Sequence, residues 1–240
     1  LGYADEKIQQ YVARDLQHDL IEVDPLHITV MQLRGEGGVF PSFAGMPDTS
    51  FITDHAQAGH GMITKREVLL SILSLLQITK QDVVWDIGAG CGSVAVELAY
   101  WQADAQIHAI EHHPSRLHCL QANRDKFGVM QNLHIHAGHA EDLIQQLPAA
   151  NKVFIGGSGG ELMTLLAQAW QQLPPNGLLL ASAVTEQTKQ QLITFADNHQ
   201  TACDYESVQI AVNKASTLAK QWLYRPSLPV TLFKFRKISQ

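Results

Sequence analysis

The strongest chemical signal is the run Val83–Gly92, VVWDIGAGCG. An apolar strand ends in Asp86, and three glycines alternate after it at Gly88, Gly90 and Gly92, with Ala89 and Cys91 between them. A parallel sheet binds ligands at the carboxyl ends of its strands. Glycines there allow tight turning and let backbone N–H groups come close to a ligand. The spacing G-x-G-x-G, followed by Ser93, is not the G-x-G-x-x-G of a dinucleotide site. An aspartate two positions before the first glycine would sit close to a pyrophosphate, whereas it suits a cationic ligand without phosphates. S-adenosylmethionine, with its sulfonium and ammonium, is such a ligand.

Three further places belong with this loop. Glu111 closes the strand Gln106–Ile110, where an acidic residue can reach ribose hydroxyls in nucleoside-binding α/β folds; a carboxylate can accept from two hydroxyls at once. Gly138-His139-Ala140 follows the next strand. In methyltransferases of this fold that place often reads G-D-A and closes over adenine. Here His139 replaces the aspartate, and the backbone N–H of Ala140 remains as a contact that needs no side chain. The run Phe154-Ile155-Gly156-Gly157-Ser158-Gly159-Gly160 forms a bare, wide loop where an acceptor would approach the methyl group. No N/D-P-P-Y/F/W motif stands there, so a large flat acceptor fits better than a flipped base. The histidines at 108, 112, 113, 118, 134, 136 and 139 are clustered, but no carboxylate or cysteine pattern completes a metal site, and none is expected. Cys91 reads as lining rather than nucleophile, and Trp85 and Trp170 read as packing.

Composition narrows the partners. The 240 residues carry a formal charge of −6, which argues against a non-specific grip on nucleic acid. Hydrophobic residues make up 45% and charged residues 17%, as in a globular chain with a core. The longest uncharged stretch, Leu162–Thr185, contains glutamines, prolines and an asparagine and is not a membrane span. No basic-then-apolar leader opens the chain, and three widely spaced cysteines argue against a disulfide framework; both point to the cytoplasm.

Elements that could position these residues are legible. Helices are expected over Lys65–Gln77 (capped by Thr64 three residues before Glu67), Val94–Tyr100, Ser115–Phe127, Ala140–Gln146, Glu161–Leu173 and Glu186–Asn198. Strands are expected over Val83–Ile87, Gln106–Ile110, Leu133–His136, Val153–Ile155, Leu178–Ala183, Tyr205–Val212 and Val230–Arg236. Five βα units give a parallel sheet with helices on both faces, and the last strand pair, with no clear helix between its members, requires one antiparallel strand. Upstream, Asp5–Gln17 reads as a helix, His27–Leu33 as a strand and Arg34–Pro47 as a linker. One helix and one strand cannot bury a core, so residues 1–34 read as the end of a domain that begins further upstream.

With these pieces in place, residues from about Gly45 onward resemble the precorrin-6Y C(5,15)-methyltransferase (decarboxylating) family, in the domain that methylates carbon 15. The matching pieces are GMPDTSFI (45–52), MITKREV (62–68), WDIGAGCGSVAVELA (85–99), VFIGGSGGEL (153–162) and ASAVT (181–185). The resemblance implies a class I S-adenosylmethionine-dependent methyltransferase, Rossmann-like, with a mostly parallel seven-stranded sheet. It implies methylation of a precorrin with decarboxylation of an acetate side chain in cobalamin biosynthesis, leaving S-adenosylhomocysteine. It also implies cofactor contacts at Thr64, Asp86, Gly88–Gly92, Glu111, His139 and Ala140. Acceptor contacts are expected at Lys65, Gly156, Gly157, Ser158 and Asn213, with Arg66, Lys214, Lys220 and Arg225 as further cations for a polycarboxylate. No residue stands out as a general base. Residues 1–44 resemble the tail and linker of a fused upstream tetrapyrrole methylase module, with the methyltransferase domain over 45–240, and a homotetramer is implied. The alternatives are a tRNA or other small-molecule methyltransferase of the same fold, and a silent module that scaffolds its partner.

Overall fold

A computed structural model describes residues 7–12, 16, 24–32 and 41–238. The chain divides into two units, Leu1–Gly37 and Gly38–Gln240. In the first, neither residues 7–12 nor residues 27–32 form regular structure. The strand expected over His27–Leu33 is therefore absent from its described part, as is the helix expected over Asp5–Gln17 from residues 7–12, with only Leu16 of that stretch in 3-10 conformation; the other residues of both lie outside the described ones. Ile8, Ile28 and Val30 are exposed. A short helix without a packed face and a strand without a partner are each marginal in water.

The second unit is a three-layer α/β fold. Its helices are α1 (Arg66–Leu76), α2 (Ser93–Trp101), α3 (Pro114–Lys126), α4 (Ala140–Leu143), α5 (Leu162–Gln172) and α6 (Glu186–Asn198). Its strands are β1 (Val83–Ile87), β2 (Gln106–Glu111), β3 (Leu133–Ala137), β4 (Lys152–Ile155), β5 (Leu178–Ala183), β6 (Cys203–Ile210), β7 (Asn213–Leu218), β8 (Gln221–Pro226) and β9 (Val230–Lys237). Seven strands form one sheet in the order β3-β2-β1-β4-β5-β9-β6, and β9 runs antiparallel to both neighbours. The expected sheet with a single antiparallel strand is thus formed.

The central strands are apolar on both sides because both faces are covered. Val84, Phe154 and Leu180 point into a core built with α1, α2 and α3. Trp85, Ile87, Val153, Ile155, Leu179 and Ala181 point into a second core with α5 and α6. Trp85 and Trp170 lie in that second core, as read. Chain order reverses between β1 and β4, so the carboxyl ends of these two strands flank the crevice where such sheets bind ligands.

Two local expectations are corrected. Thr64 does not cap α1: the cap position is Lys65, and no side chain caps it from within the segment. The first-turn amide of Arg66 donates instead to Asp48 Oδ1 at 2.9 Å, a cap delivered across the fold. Between β6 and β9 the chain also forms a second, two-stranded sheet, the β7–β8 hairpin, paired from Asn213↔Pro226 to Leu218↔Gln221.

Candidate active site

At the end of β1 the three glycines all have positive φ, 71°, 60° and 90°. Each is also required by a close approach. A Cβ on Gly88 would lie 2.3 Å from Gly157 O, one on Gly90 2.5 Å from Met62 O, and one on Gly92 2.2 Å from Leu120 Cδ1. The loop is therefore shaped by backbone packed against it: the Gly156–Gly160 loop after β4 on one side and residue 62 on another. The amides of Gly88 and Ala89 both donate to Ile110 O at 3.0 Å, which ties the loop to β2.

Asp86 stands beneath this loop, 1% exposed. Neither carboxylate oxygen completes a hydrogen bond with any described residue. The amide of Ala95, in the first turn of α2, is directed at it and partly holds its pKa down. Burial wins, and with the nearby Glu111 charge it pushes the Asp86 carboxyl up to about 7. The N-terminus of α2 offsets part of the cost of burying this carboxylate, and the remainder calls for a cation or a proton.

Glu111 is 3% exposed and held by the backbone. Its Oε2 accepts from Gly90 N at 2.9 Å, and its Oε1 from the amides of His112 and His113, both at 2.9 Å. A carboxylate has about four lone-pair sites, so about one remains for a ligand hydroxyl unless a backbone bond is exchanged. Glu111→Gln should lower the thermal midpoint by about 4 °C or more, since an amide cannot accept all three donors and one orphaned bond costs about 1–3 kcal/mol. Differential scanning fluorimetry checks this; an unchanged midpoint would show that the lost bond contributes nothing.

The loop after β3 joins the same surface. Gly138 N donates to Glu111 O at 3.0 Å, His139 is the N-cap of α4, and Ala140 begins that helix, buried. The His139 ring stacks on the His112 ring, with centroids 4.6 Å apart. On the other side, Gly156 N donates to Ile87 O at 2.9 Å, so the Gly156–Gly160 loop starts directly beside the glycine loop. Ser158 O accepts from Glu161 N at 2.9 Å.

Thr64 reaches the glycine loop through its backbone: its N–H donates to Ser93 Oγ at 3.0 Å. Cys91 is buried and its thiol is pushed up to about 12, chiefly by burial, which leaves it protonated and unreactive. The expected acceptor cations are dispersed. Lys65 Nζ donates to Gly59 O. Lys214 pairs with Glu67 at 3.1 Å and Asp48 at 3.7 Å, which brings the β7–β8 hairpin to the head of α1. Asn213 sits at the hairpin base, Lys220 in its turn, and Arg66 and Arg225 are exposed. His108, His134 and His136 form a ladder on β2 and β3, with His108 Nδ1 3.0 Å from His136 Nε2; burial first, then the neighbouring imidazoles, lower the His108 pKa to about 4.

The sequence reading missed Asn123 and Met62. Asn123, fully buried on α3, donates to Cys91 O and Ile52 O at 2.8 Å and accepts from Ile52 N at 2.8 Å. Met62 O accepts from Cys91 N at 2.9 Å. An asparagine inside an otherwise amphipathic helix was the available signal for the first.

Strand order and loop placement define a methyltransferase of the Rossmann-like class. Residues 55–237 match the family model of the precorrin methyltransferase domain, and the chain belongs to that family. It is 30% identical over 239 residues to the precorrin-6Y C(5,15)-methyltransferase (decarboxylating) of a Sinorhizobium species, covering 99% of this chain and 54% of that protein. The chain thus spans about half the length of that relative. It is 31% identical over 175 residues to the cobalt-precorrin-6B C(15)-methyltransferase (decarboxylating) of Salmonella typhimurium, covering 73% of this chain and 89% of that one. The crystal structure of precorrin-6Y C5,15-methyltransferase from Geobacter metallireducens superposes with a TM-score of 0.73 at 29% identity, over 81% of this chain and 97% of that chain. Among the described residues, no helix is long and apolar enough to cross a membrane.

Proposed function

We propose that the chain methylates carbon 15 of a precorrin from S-adenosylmethionine and releases carbon dioxide from an acetate side chain, as a step of cobalamin biosynthesis. The observation that carries the cofactor half is Asp86: a buried carboxylate with no partner, under a three-glycine loop, fits a ligand with a sulfonium and an ammonium. Gly88–Gly92 with Ala89 and Cys91 line that ligand, Thr64 borders it, Glu111 takes a ribose hydroxyl, and His139 and Ala140 flank the adenine. When bound, S-adenosylmethionine supplies an electrophilic methyl group.

The protein's share of the chemistry is alignment. Gly156, Gly157 and Ser158 form a low wall beside the glycine loop, where bulkier side chains would hold a flat macrocycle away. Lys65, Asn213 and the hairpin cations Lys214, Lys220 and Arg225 are the candidates to offset the acceptor's carboxylates in a chain of net charge −6, with Lys65 released from Gly59 O and Lys214 from Glu67 and Asp48 when they do so. The ring system of the acceptor takes up the electrons left by departing carbon dioxide. Residues 1–44 are the tail and linker of an upstream tetrapyrrole methylase module; the Sinorhizobium relative, matched along 99% of this chain and nearly twice as long, supports this. Buried free cysteines and bacterial relatives support a cytoplasmic setting, and the family resemblance a homo-oligomer.

Incubation with methyl-labelled S-adenosylmethionine and a panel of precorrins and cobalt-precorrins, followed by mass spectrometry, tests the reading. Label in a product that has also lost carbon dioxide is the expected result; label entering tRNA but no precorrin would overturn it. Gly157→Val should cut single-turnover methylation and decarboxylation together by roughly tenfold or more. A Cβ at 157 meets nothing closer than 3.9 Å, and retained S-adenosylmethionine binding by calorimetry shows that the variant is folded and reports on the acceptor side. Normal turnover of both steps would place the acceptor elsewhere.

A further inference from the structure

The segment Thr53–Thr64 has no regular structure, yet it fixes one wall of the glycine loop. Its organising side chain is Asp54, 16% exposed. Asp54 Oδ1 accepts from Met62 N at 2.9 Å, and Oδ2 accepts from Arg116 Nε of α3 at 3.4 Å. The other side of the Met62 peptide faces the glycine loop: Met62 O accepts from Cys91 N at 2.9 Å and stands 2.5 Å from where a Cβ on Gly90 would be. One carboxylate therefore grips one peptide, that peptide sets the position of Gly90 and Cys91, and the Cys91 thiol itself donates to Asp54 Oδ1 at 3.6 Å. Gly61 makes the grip possible: its φ is +95°, and a Cβ there would lie 2.6 Å from Asp54 Oδ1. The Met62 amide, and after it the Arg116 guanidinium, hold the Asp54 carboxyl below the usual carboxylate range. The negative charge that anchors α3 to this segment is thus kept at physiological pH.

We propose that Asp54 is a positioning residue for S-adenosylmethionine, acting on Gly90 through the Met62 peptide and on Cys91 through both that peptide and the thiol, without touching the cofactor. The inference rests on the cofactor reading above. A rigid loop presents its N–H groups already in place; without the grip, ordering the loop would be charged against binding. The chain just ahead of the segment is held independently by Asn123, which accepts from Ile52 N and donates to Ile52 O, both at 2.8 Å, so losing Asp54 frees the 53–62 turn and leaves the rest docked.

Calorimetric titration of the full chain with S-adenosylmethionine tests this. Asp54→Ala should weaken binding about tenfold. Asp54→Asn should recover most of that loss, because an asparagine oxygen can still accept from Met62 N. Gly61→Ala, which leaves Asp54 present but displaces it, should reproduce the loss. Wild-type affinity in folded Asp54→Ala or Gly61→Ala would overturn the assignment, as would an Asp54→Asn variant no better than the alanine. Absence of binding to the wild-type chain would instead overturn the cofactor reading, and the role of Asp54 with it.

Discussion

Asp86→Asn should reduce S-adenosylmethionine affinity by at least roughly a hundredfold at neutral pH, and should make the unliganded protein relatively more stable as pH rises. The two effects have one cause. A carboxylate raised from 3.8 to about 7 by burial binds its proton more tightly folded than unfolded. Between those values the folded state holds more protons, so the Asp86 contribution to stability falls as pH rises through that window, by on the order of 4 kcal/mol in all. Above about pH 7 the folded protein carries a buried negative charge that only a cationic ligand relieves. Asparagine removes both the penalty and the reason to bind a cation. The wild-type pH profile alone will not isolate this, because neutral His108, with its pKa lowered to about 4, contributes with the opposite slope: stability rising with pH from about 4 to 6.5. The difference between variant and wild type does isolate it. Urea unfolding near pH 5 and pH 8 should show the variant gaining a few kcal/mol on the wild type, about 2–4, between the two. A pH-independent difference, or retained cofactor affinity, would mean that Asp86 is not the cation's partner.

Alanine at Gly88 should be far more damaging than alanine at Gly92, although both positions have positive φ. Each costs roughly 1–2 kcal/mol in backbone conformation. At Gly88 the added Cβ meets the carbonyl and amide of Gly157, and backbone cannot rotate away. Relieving the clash requires moving the Gly156–Gly160 loop, whose first amide is bonded to Ile87 O at 2.9 Å. At Gly92 the obstacle is Leu120 Cδ1, the end of a side chain that can change rotamer. Cofactor affinity should fall more than roughly a hundredfold in Gly88→Ala and within about tenfold in Gly92→Ala, with the lower thermal midpoint in the first. Equal losses would show that conformation alone, not the approach of the two loops, makes glycine necessary.

The sequence foreshadowed what depends on periodicity and on short motifs. The seven strands of the main sheet and five of the six helices lie within a residue or two of where alternation, 3.6-residue spacing and Gly/Pro boundaries put them; α4 stops at Leu143, three residues short of the expected Gln146, and continues as a 3-10 turn. It hid what depends on contacts distant in the chain. The cap of α1 comes from Asp48, so the local threonine-to-glutamate spacing misled. The β7–β8 hairpin was invisible because its turn residues, Ala219 and Lys220, both adopt positive φ (48° and 65°) without the Asn-Gly pair that normally announces such a turn. In the site, the Asp86 and Glu111 positions were readable from the strand ends. The three backbone bonds that occupy Glu111, and the use of Met62 and Asn123 to shape the glycine loop, were not: the Gly90, Met62 and Asn123 contacts join segments 21 to 71 residues apart, and those of His112 and His113 depend on main-chain amides that leave no mark on composition.

The place of β9 has a consequence for synthesis. It comes last of the nine strands among the described residues, yet it lies between β5 and β6 and pairs with the edge of each. A chain emerging from the ribosome can assemble β1 to β5 in order, but the apolar rim Leu178–Ala183 stays open until Val230–Lys237 follows. During that interval β6 and the hairpin hang unattached beside an unpaired edge, the kind of edge that recruits other chains. Elongation through residues 184–237 is thus the period in which the β5 edge stands unpaired, and shortening it by faster translation of that stretch should raise the yield of correctly closed sheet.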